Sequence, residues 1–332
     1  MRRPRIVFVG GAGHHYLRHA LAAPGDGLFV VDDADEQATR ALADRLGVAV
    51  HDGDLASAVA ALEPDVVSVG SVHGHGGDHA AIALRLGIPT VVDKPAAARW
   101  DQLHTLEALT AKPDTPPLIT EFDWRARPSL RAARSAVASG QLGDVTLIVA
   151  QKTYKFGKRP AWYADRKLYG GTMLWVASHA IDAIRFVMGC GTDGGERDVT
   201  VVAARHGNAG RPEIGRGEDH AVAVLDLGGG TGGGGTAIAH ADLCRPAAAD
   251  AHGEDRLIIR GSRGELTVLD DTCTLTTHDQ PTQPLDLPSL PPVHHQLLAA
   301  ALGTDHDVFT TTQSLSTARQ LLKARDLADG SG

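Results

Sequence analysis

The sequence predicts an α/β protein in two parts: a doubly wound parallel sheet, then an α+β region built on a large, mainly antiparallel, open sheet. Three observations predict it. Apolar runs of strand length alternate with helical periodicity across residues 5–122, the pattern of a sheet wound on both faces. The run Thr90-Val91-Val92-Asp93-Lys94-Pro95 carries a buried type of strand into an acid, a lysine and a proline, and Pro95 cannot continue a ladder. From Val199 onward, strands follow one another across glycine turns with no helices between, which argues antiparallel pairing. The boundary falls near residue 122, giving domains 1–122 and 123–332.

Composition narrows the function. The 332 residues are 43% hydrophobic and 22% charged, ordinary for a soluble globular chain. A net charge of −8 argues against a broad nucleic-acid or anionic-membrane surface. No apolar run approaches the roughly 18–20 residues of a membrane span. Basic Met1-Arg2-Arg3-Pro4-Arg5 leads into a short, glycine-broken run that reads as a first strand rather than a secretory leader. Cys190, Cys244 and Cys273 are widely spaced and form no metal-ligand pattern, so reduced thiols in a cytoplasmic protein are expected. The 17 histidines are scattered, and no metal is expected.

In the first domain, residues 5–9 form a strand ending in Gly10-Gly11-Ala12-Gly13, and residues 14–23 read as a helix. Strand, glycine turn and helix open a Rossmann dinucleotide-binding unit, whose glycines let backbone N–H groups approach a pyrophosphate at the helix's positive end. Gly11, Ala12, Gly13 and His14 are the expected contacts, although Tyr16 stands where a third glycine belongs. The strand at 28–31 ends in Asp32-Asp33. Asp32 follows Gly11 by 21 positions (32 − 11), against about 20 for the acid that binds a ribose diol. A carboxylate there favours NAD over NADP. Either acid also suits the cap of a helix over 36–46.

A strand over 48–50, a helix over 55–62, a strand over 65–70 and a helix over 78–86 follow. The loop 71–77 between the last two faces the ligand edge, which makes Ser71 and His73 cofactor candidates beside His75. Two histidines without a nearby carboxylate or thiol do not make a metal site. Lys94 and Asp93 end the next strand on that edge, where a lysine offers a movable charge with three donors. A helix over 96–111 and a strand over 118–122 close the domain.

The second domain opens with Trp124-Arg125-Ala126-Arg127-Pro128 and a helix over 129–139 ended by Gly140. A strand over 145–151 and the loop Arg159-Pro160-Ala161-Trp162-Tyr163 precede Gly170-Gly171 and a helix from Thr172. Trp175, His179 and Asp182 share one face of it, at i, i+4 and i+7. Ile181, Ile184, Val187 and Met188 share another. Strands follow over 199–204, 221–227, 235–241, 257–260 and 266–269, with the glycine tract 228–235 as a flexible hairpin tip. An extended proline-rich crossing over 284–292 leads to helices over 293–302 and 314–327.

Together these pieces resemble the glucose–fructose oxidoreductase / inositol dehydrogenase (Gfo/Idh/MocA) family. Asp93-Lys94-Pro95 looks like its Glu-Lys-Pro. Gly170-Gly171-Thr172 through His179-Ala180-Ile181-Asp182 looks like its glycine-start helix with His-x-x-Asp. Arg125-Ala126-Arg127-Pro128, Ser139-Gly140-Gln141-Leu142-Gly143-Asp144-Val145 and the hairpin over 257–266 are also similar to family motifs. The resemblance implies a nicotinamide-dependent dehydrogenase or reductase of sugars, inositols or polyols. In it Lys94 lies between nicotinamide and substrate, and His179 is the general acid/base. Arg125, Tyr163 and Trp175 join His179 as the substrate-site expectation. It also implies a homodimer or homotetramer, since the open sheet face needs cover. Trp175 departs from the family, which often places an Asp there to help set the histidine. The alternatives are a non-catalytic sensor of NAD or a metabolite, and a hydrolase or lyase that uses NAD transiently.

Overall fold

The computed structural model describes residues 3–191, 199–210, 218–228, 234–304 and 308–330. Most of the tract 228–235, expected as a hairpin tip, lies outside these. Packing divides the chain into two units. One comprises 1–122, 167–170 and 291–318, and the other 123–166, 171–290 and 319–332.

The first unit holds six parallel strands, β1 (Ile6–Val9), β2 (Gly27–Val30), β3 (Ala49–His51), β4 (Val66–Val69), β5 (Thr90–Val92) and β6 (Leu118–Thr120). Their order is β3-β2-β1-β4-β5-β6. The winding direction reverses between β1 and β4, and ligands of such sheets bind outside the strand C-termini at that point. β1, β4 and β5 are buried at every residue, so their apolar runs do not alternate. Val9 pairs with Val30 and with Val69, and Val69 pairs with Val92, so the four strand ends are level. Whatever follows each strand therefore emerges on one edge.

The helices here are α1 (Glu36–Leu46), α2 (Leu55–Leu62), α3 (His73–Arg85) and α4 (Trp100–Thr110). Asp35, not Asp32 or Asp33, caps α1 by accepting the Ala38 N–H at 3.2 Å. The helix expected over 14–23 is only a 3-10 turn, Tyr16–Ala20. Its cause is His15, whose buried ring holds Ser68 Oγ at 2.8 Å and the Gly10 carbonyl at 3.0 Å. The ring also stands edge-on to Phe8 and Phe29. These ties fix His15 at φ −137 and ψ 79, outside helical space. The expected loop 71–77 is instead mostly the first turn of α3, which starts at His73 because Asp32 accepts the Val72 N–H at 2.8 Å. α4 begins at Trp100, four residues later than the periodicity predicts (100 − 96).

The second unit carries an eight-stranded sheet of β7 (Val145–Lys155), β8 (Thr200–Gly207), β9 (His220–Asp226), β10 (Thr236–Arg245), β11 (Gly253–Gly261), β12 (Gly264–Leu269), β13 (Thr272–Thr277) and β14 (Gln283–Pro284). Its order is β14-β13-β12-β11-β7-β10-β9-β8. All neighbours are antiparallel except β7 and β10, which run parallel. β13 and β14 extend the sheet beyond the sequence expectation. On its open face Val202 and Leu269 are exposed and Leu147, Val149, Val222, Val224, Ile238 and Ile258 are half-buried, an apolar row of the kind the sequence suggests.

Four helices belong to this stretch of chain: α5 (Pro128–Ala138), α6 (Arg166–Tyr169), α7 (Thr172–Trp175) and α8 (Ala177–Val187). The single helix expected from Thr172 is broken at Val176 into α7 and α8. Every residue of α8 is buried, its polar face included, against β7, β10 and α5. Helices α9 (Val293–Ala301) and α10 (Thr311–Asp329) end the chain. No described helix is long and apolar enough to cross a membrane.

Candidate active site

The level strand ends of the first unit gather the expected cofactor residues. Gly11 abuts the α1 backbone, where a Cβ would come within 2.5 Å of Thr39 Cα. Gly13 donates its N–H to the Gly70 carbonyl at 2.7 Å, and a Cβ there would come within 2.6 Å of the Asp93 carboxylate. Glycine is required at both places by close approach within the protein itself. Ala12 between them is half-buried. No helix points its N-terminus out of this turn, so the expected helix-end contact to a pyrophosphate is absent; the glycine turn and its flanking N–H groups remain.

Asp93 is the hub. Its Oδ1 accepts the Lys94 N–H at 2.9 Å and its Oδ2 accepts the His14 N–H at 2.9 Å. Burial pushes its pKa up, but the Lys94 charge and then His14 outweigh this and hold the carboxyl well below the usual range. Lys94 is buried, and its peptide bond to Pro95 is cis. His73 is buried against the Tyr169 carbonyl at 3.1 Å. Burial, then the neighbouring Lys94 charge, pushes its pKa down to about 3, so the ring is neutral. Ser71 Oγ meets His79 Nδ1 at 2.7 Å.

Asp32 is 1% exposed and heavily engaged. Besides the Val72 N–H it accepts the Ala34 N–H at 3.2 Å, and His75 Nδ1 lies at 2.8 Å. A carboxylate has about four lone-pair sites, and three are taken. The sheet order, the glycine turn and buried Asp32 after β2 fit a dinucleotide, with a ribose hydroxyl meeting Asp32 at its remaining lone pair or in place of His75.

In the second unit Gly171 sets the start of the helix pair that carries His179. Gly171 has φ +103, and a Cβ there would collide with the Glu218 carboxylate. That carboxylate accepts the Thr172 N–H at 2.6 Å and so starts α7. One turn into α8, His179 is 4% exposed, with Nδ1 at 3.4 Å from Asp123 Oδ1. Asp123 begins the 3-10 turn Asp123–Ala126. Burial raises its pKa, but His179 first, then Lys152 and Arg127, bring it well below the usual carboxylate range. Arg127 bridges Asp123 at 3.0 Å and Asp255 at 2.6 Å, and Asp255 pairs in turn with buried Lys152. Lys152 stays cationic, because Tyr154, Asp255 and Asp123 outweigh the effect of its burial.

The other predicted members of this site part company. Arg125, expected at the substrate, is buried and forks onto Asp182 through Nε at 2.6 Å and through Nη2. It fastens the turn that carries Asp123 to the helix that carries His179. Trp175 stacks on Tyr154 at 6.0 Å, and Tyr163 meets it edge-on at 5.4 Å. Among the described residues one histidine–carboxylate group has metal-like spacing, His206, Glu218 and Asp329. The Arg166 guanidinium is already paired with both of its acids.

Residues 4–116 match the family model described as oxidoreductase family, NAD-binding Rossmann fold, and residues 130–267 match the GFO/IDH/MocA C-terminal domain. The chain belongs to the Gfo/Idh/MocA oxidoreductase family. It is similar to D-glucoside 3-dehydrogenase of Escherichia coli, 28% identical over 165 residues, which are 49% of this chain and 46% of that one. The match thus spans about half the length of that curated relative. A solved structure from Thermotoga maritima superposes with a TM-score of 0.87 at 25% identity, over 98% of each chain. Levoglucosan dehydrogenase, solved with NADH and L-sorbose, superposes with a TM-score of 0.75 at 15% identity, over 98% of this chain and 96% of that one.

Within this Gfo/Idh/MocA member, Trp175 leaves His179 without the acid expected one turn earlier. Asp123 brings a carboxylate to the histidine from another element. Sequence reasoning missed Asp123, Lys152, Tyr154 and Asp255. An acid directly after the sixth strand is a faint signal for the first. The lysine hides within a strand whose alternation is complete without it.

Proposed function

We propose that this chain is an NAD-dependent oxidoreductase acting on a secondary alcohol or carbonyl of a sugar-, inositol- or polyol-like molecule. Support comes first from His179 beside Asp123 in a buried, charge-balanced cluster. The Asp123 carboxylate, 3.4 Å from Nδ1 without a formed hydrogen bond, steadies the protonated ring by its charge, and proton transfer is assigned to Nε2. Lys94 is assigned the developing negative charge on the substrate oxygen, a task suited to a buried cation with rotatable donors. Gly11, Ala12, Gly13, His14, Asp32, Ser71, His73 and Asp93 are assigned to the dinucleotide, which when bound supplies the hydride acceptor. Asp32 makes NAD the favoured form, since a carboxylate repels a ribose phosphate. Trp175 and Tyr163, whose rings pack against each other and against Tyr154 and Arg159, are assigned to the substrate side.

The sugar dehydrogenase among the relatives favours the same substrate class. The assay is NADH formation from NAD across neutral and charged sugars and polyols. Growth of the NADH absorbance in step with oxidised product is expected. Binding of NAD with no turnover on any of them would move the sensor reading ahead.

A further inference from the structure

A cavity of the second unit, about 880 Å³, is lined by residues that, Tyr163 apart, are assigned no part in the reading above. Its position follows from the sheet. Because β7 and β10 run parallel, they end together, with Lys155 in register with Cys244 and Arg245. The segment after β7 then folds over this end, through Phe156, Lys158 and Arg159 to the 3-10 turn Ala161–Ala164. His252, just before β11, closes the other side.

The lining is one-sided in charge. Lys155, Lys158, Arg159 and Arg245 all contribute, and no Asp or Glu lines the cavity, in a chain whose net charge is −8. Arg245 has one acidic neighbour, Glu254 at 3.4 Å. Among the described residues Lys155, Lys158 and Arg159 form no ion pair. The Arg159 Nε is buried without a hydrogen-bond partner among the described residues. Its guanidinium is held over Trp175 at 4.8 Å, Tyr163 at 5.4 Å and Phe156 at 5.9 Å. Rings position a cation without neutralising it, so its charge remains to be matched. Gathering like charges in one concavity costs free energy unless an anion offsets it. Partial burial, then the nearby Arg159 and Lys155 charges, lower the His252 pKa, so the ring adds a polar contact with little further repulsion.

The same rings tie the cavity to the reactive helix. Tyr163 lines it and touches Trp175, which ends α7 one turn before His179. We infer that this cavity is a subsite for an anionic group on the substrate, so that the chain acts on acid-bearing sugars or polyols, as carboxylates or phosphate esters, in preference to neutral ones. The inference rests on the oxidoreductase reading for the word substrate, but not for the binding itself.

The test uses the full chain and three probes: methyl glucoside, D-glucuronate and glucose 6-phosphate. Binding is followed by tryptophan fluorescence without cofactor, and NADH formation is followed separately. At least one acid is expected to bind about tenfold or more tighter than the neutral glycoside, with the advantage shrinking as potassium chloride is added. Which acid gains tells carboxylate from phosphate. In the double variant Arg159→Gln, Lys155→Gln the advantage should fall to near parity. Should that variant not fold, salt dependence in the parent chain decides. Equal binding of all three probes by the parent overturns the subsite, as does an acid preference that survives in a folded double variant. Acid binding without turnover would sink the dehydrogenase reading and leave the subsite standing. Turnover with no acid preference would do the reverse.

Discussion

The strand-end cluster of the first unit and the helix cluster of the second solve opposite problems. Around Asp93 and Asp32, backbone N–H groups and histidines of the same unit already occupy the polar atoms. A ligand there meets atoms that protein contacts already share. Around His179 the charges balance through a chain of ion pairs, and beyond Trp175 lies a cavity with surplus cations. A ligand there adds contacts that are missing. The first cluster is therefore ordered within itself, while the second unit keeps charge to spare.

The largest effect should come from the pair that fastens the second cluster. Asp182→Ala leaves Arg125 buried without its counter-charge, and removing one partner of such a pair costs about 3–5 kcal/mol. A large fall in melting temperature is expected. A shift within experimental error would show that the pair is not what holds the turn to the helix.

Catalysis tests whether both clusters serve one reaction. Lys94→Ala and His179→Ala are each expected to cut turnover about a hundredfold or more, with NAD affinity little changed. A variant that loses NAD binding instead would move its residue to the structural side of the comparison. Asp123→Asn should also lower turnover, and the acid limb of the pH–rate profile for alcohol oxidation should move to lower pH, because the amide no longer steadies a charged His179.

Acidity should expose the first unit. His15 and His73 ordinarily titrate near 6.5, but burial pushes them down to about 4 and about 3. Between those values the unfolded chain binds protons that the folded chain refuses, so stability falls as pH drops below 6.5. The slope is about 1.4 kcal/mol per pH unit for each histidine fully engaged. Denaturant melts at pH 7 and pH 5 check this, and His73→Gln should flatten the decline. An unchanged slope would mean that the ring is already protonated in the fold.

Much of this was legible in the chain. Strands with one apolar pattern, such as β1, β4 and β5, are specified locally, and so is α1, with its acid cap and Gly47 stop. The 3-10 turn after the glycines was not legible, because its cause is a bond from His15 to Ser68, 53 residues away. The lysine motif and His179 could be named in advance, since residue type and place on a strand end or helix carry them. Asp123 could not, because its partner is 56 positions on (179 − 123) and only tertiary packing joins them. Arg125 is expected at the substrate from its motif, which carries no sign of the pairing with Asp182, 57 positions on, that the fold makes.

The smallest effect falls on Asp32, and it cuts the comparison most finely. If the carboxylate serves only to start α3 and hold His75, Asp32→Ala should cost about 1 kcal/mol of stability, as a lost cap does, and leave the NAD to NADP affinity ratio alone. If it also receives a ribose diol, the ratio should fall by about tenfold, since a charge-assisted hydrogen bond is worth roughly 1.5–3 kcal/mol and its repulsion of a phosphate is lost as well. We expect the second outcome. His75→Ala separates the two functions, because it frees a lone pair of Asp32 without touching the Val72 N–H. NAD affinity in that variant should hold or rise. Calorimetric titration of both cofactors into the three proteins reads the ratio directly, and a drop in NAD affinity for His75→Ala would place that histidine, not Asp32, at the ribose.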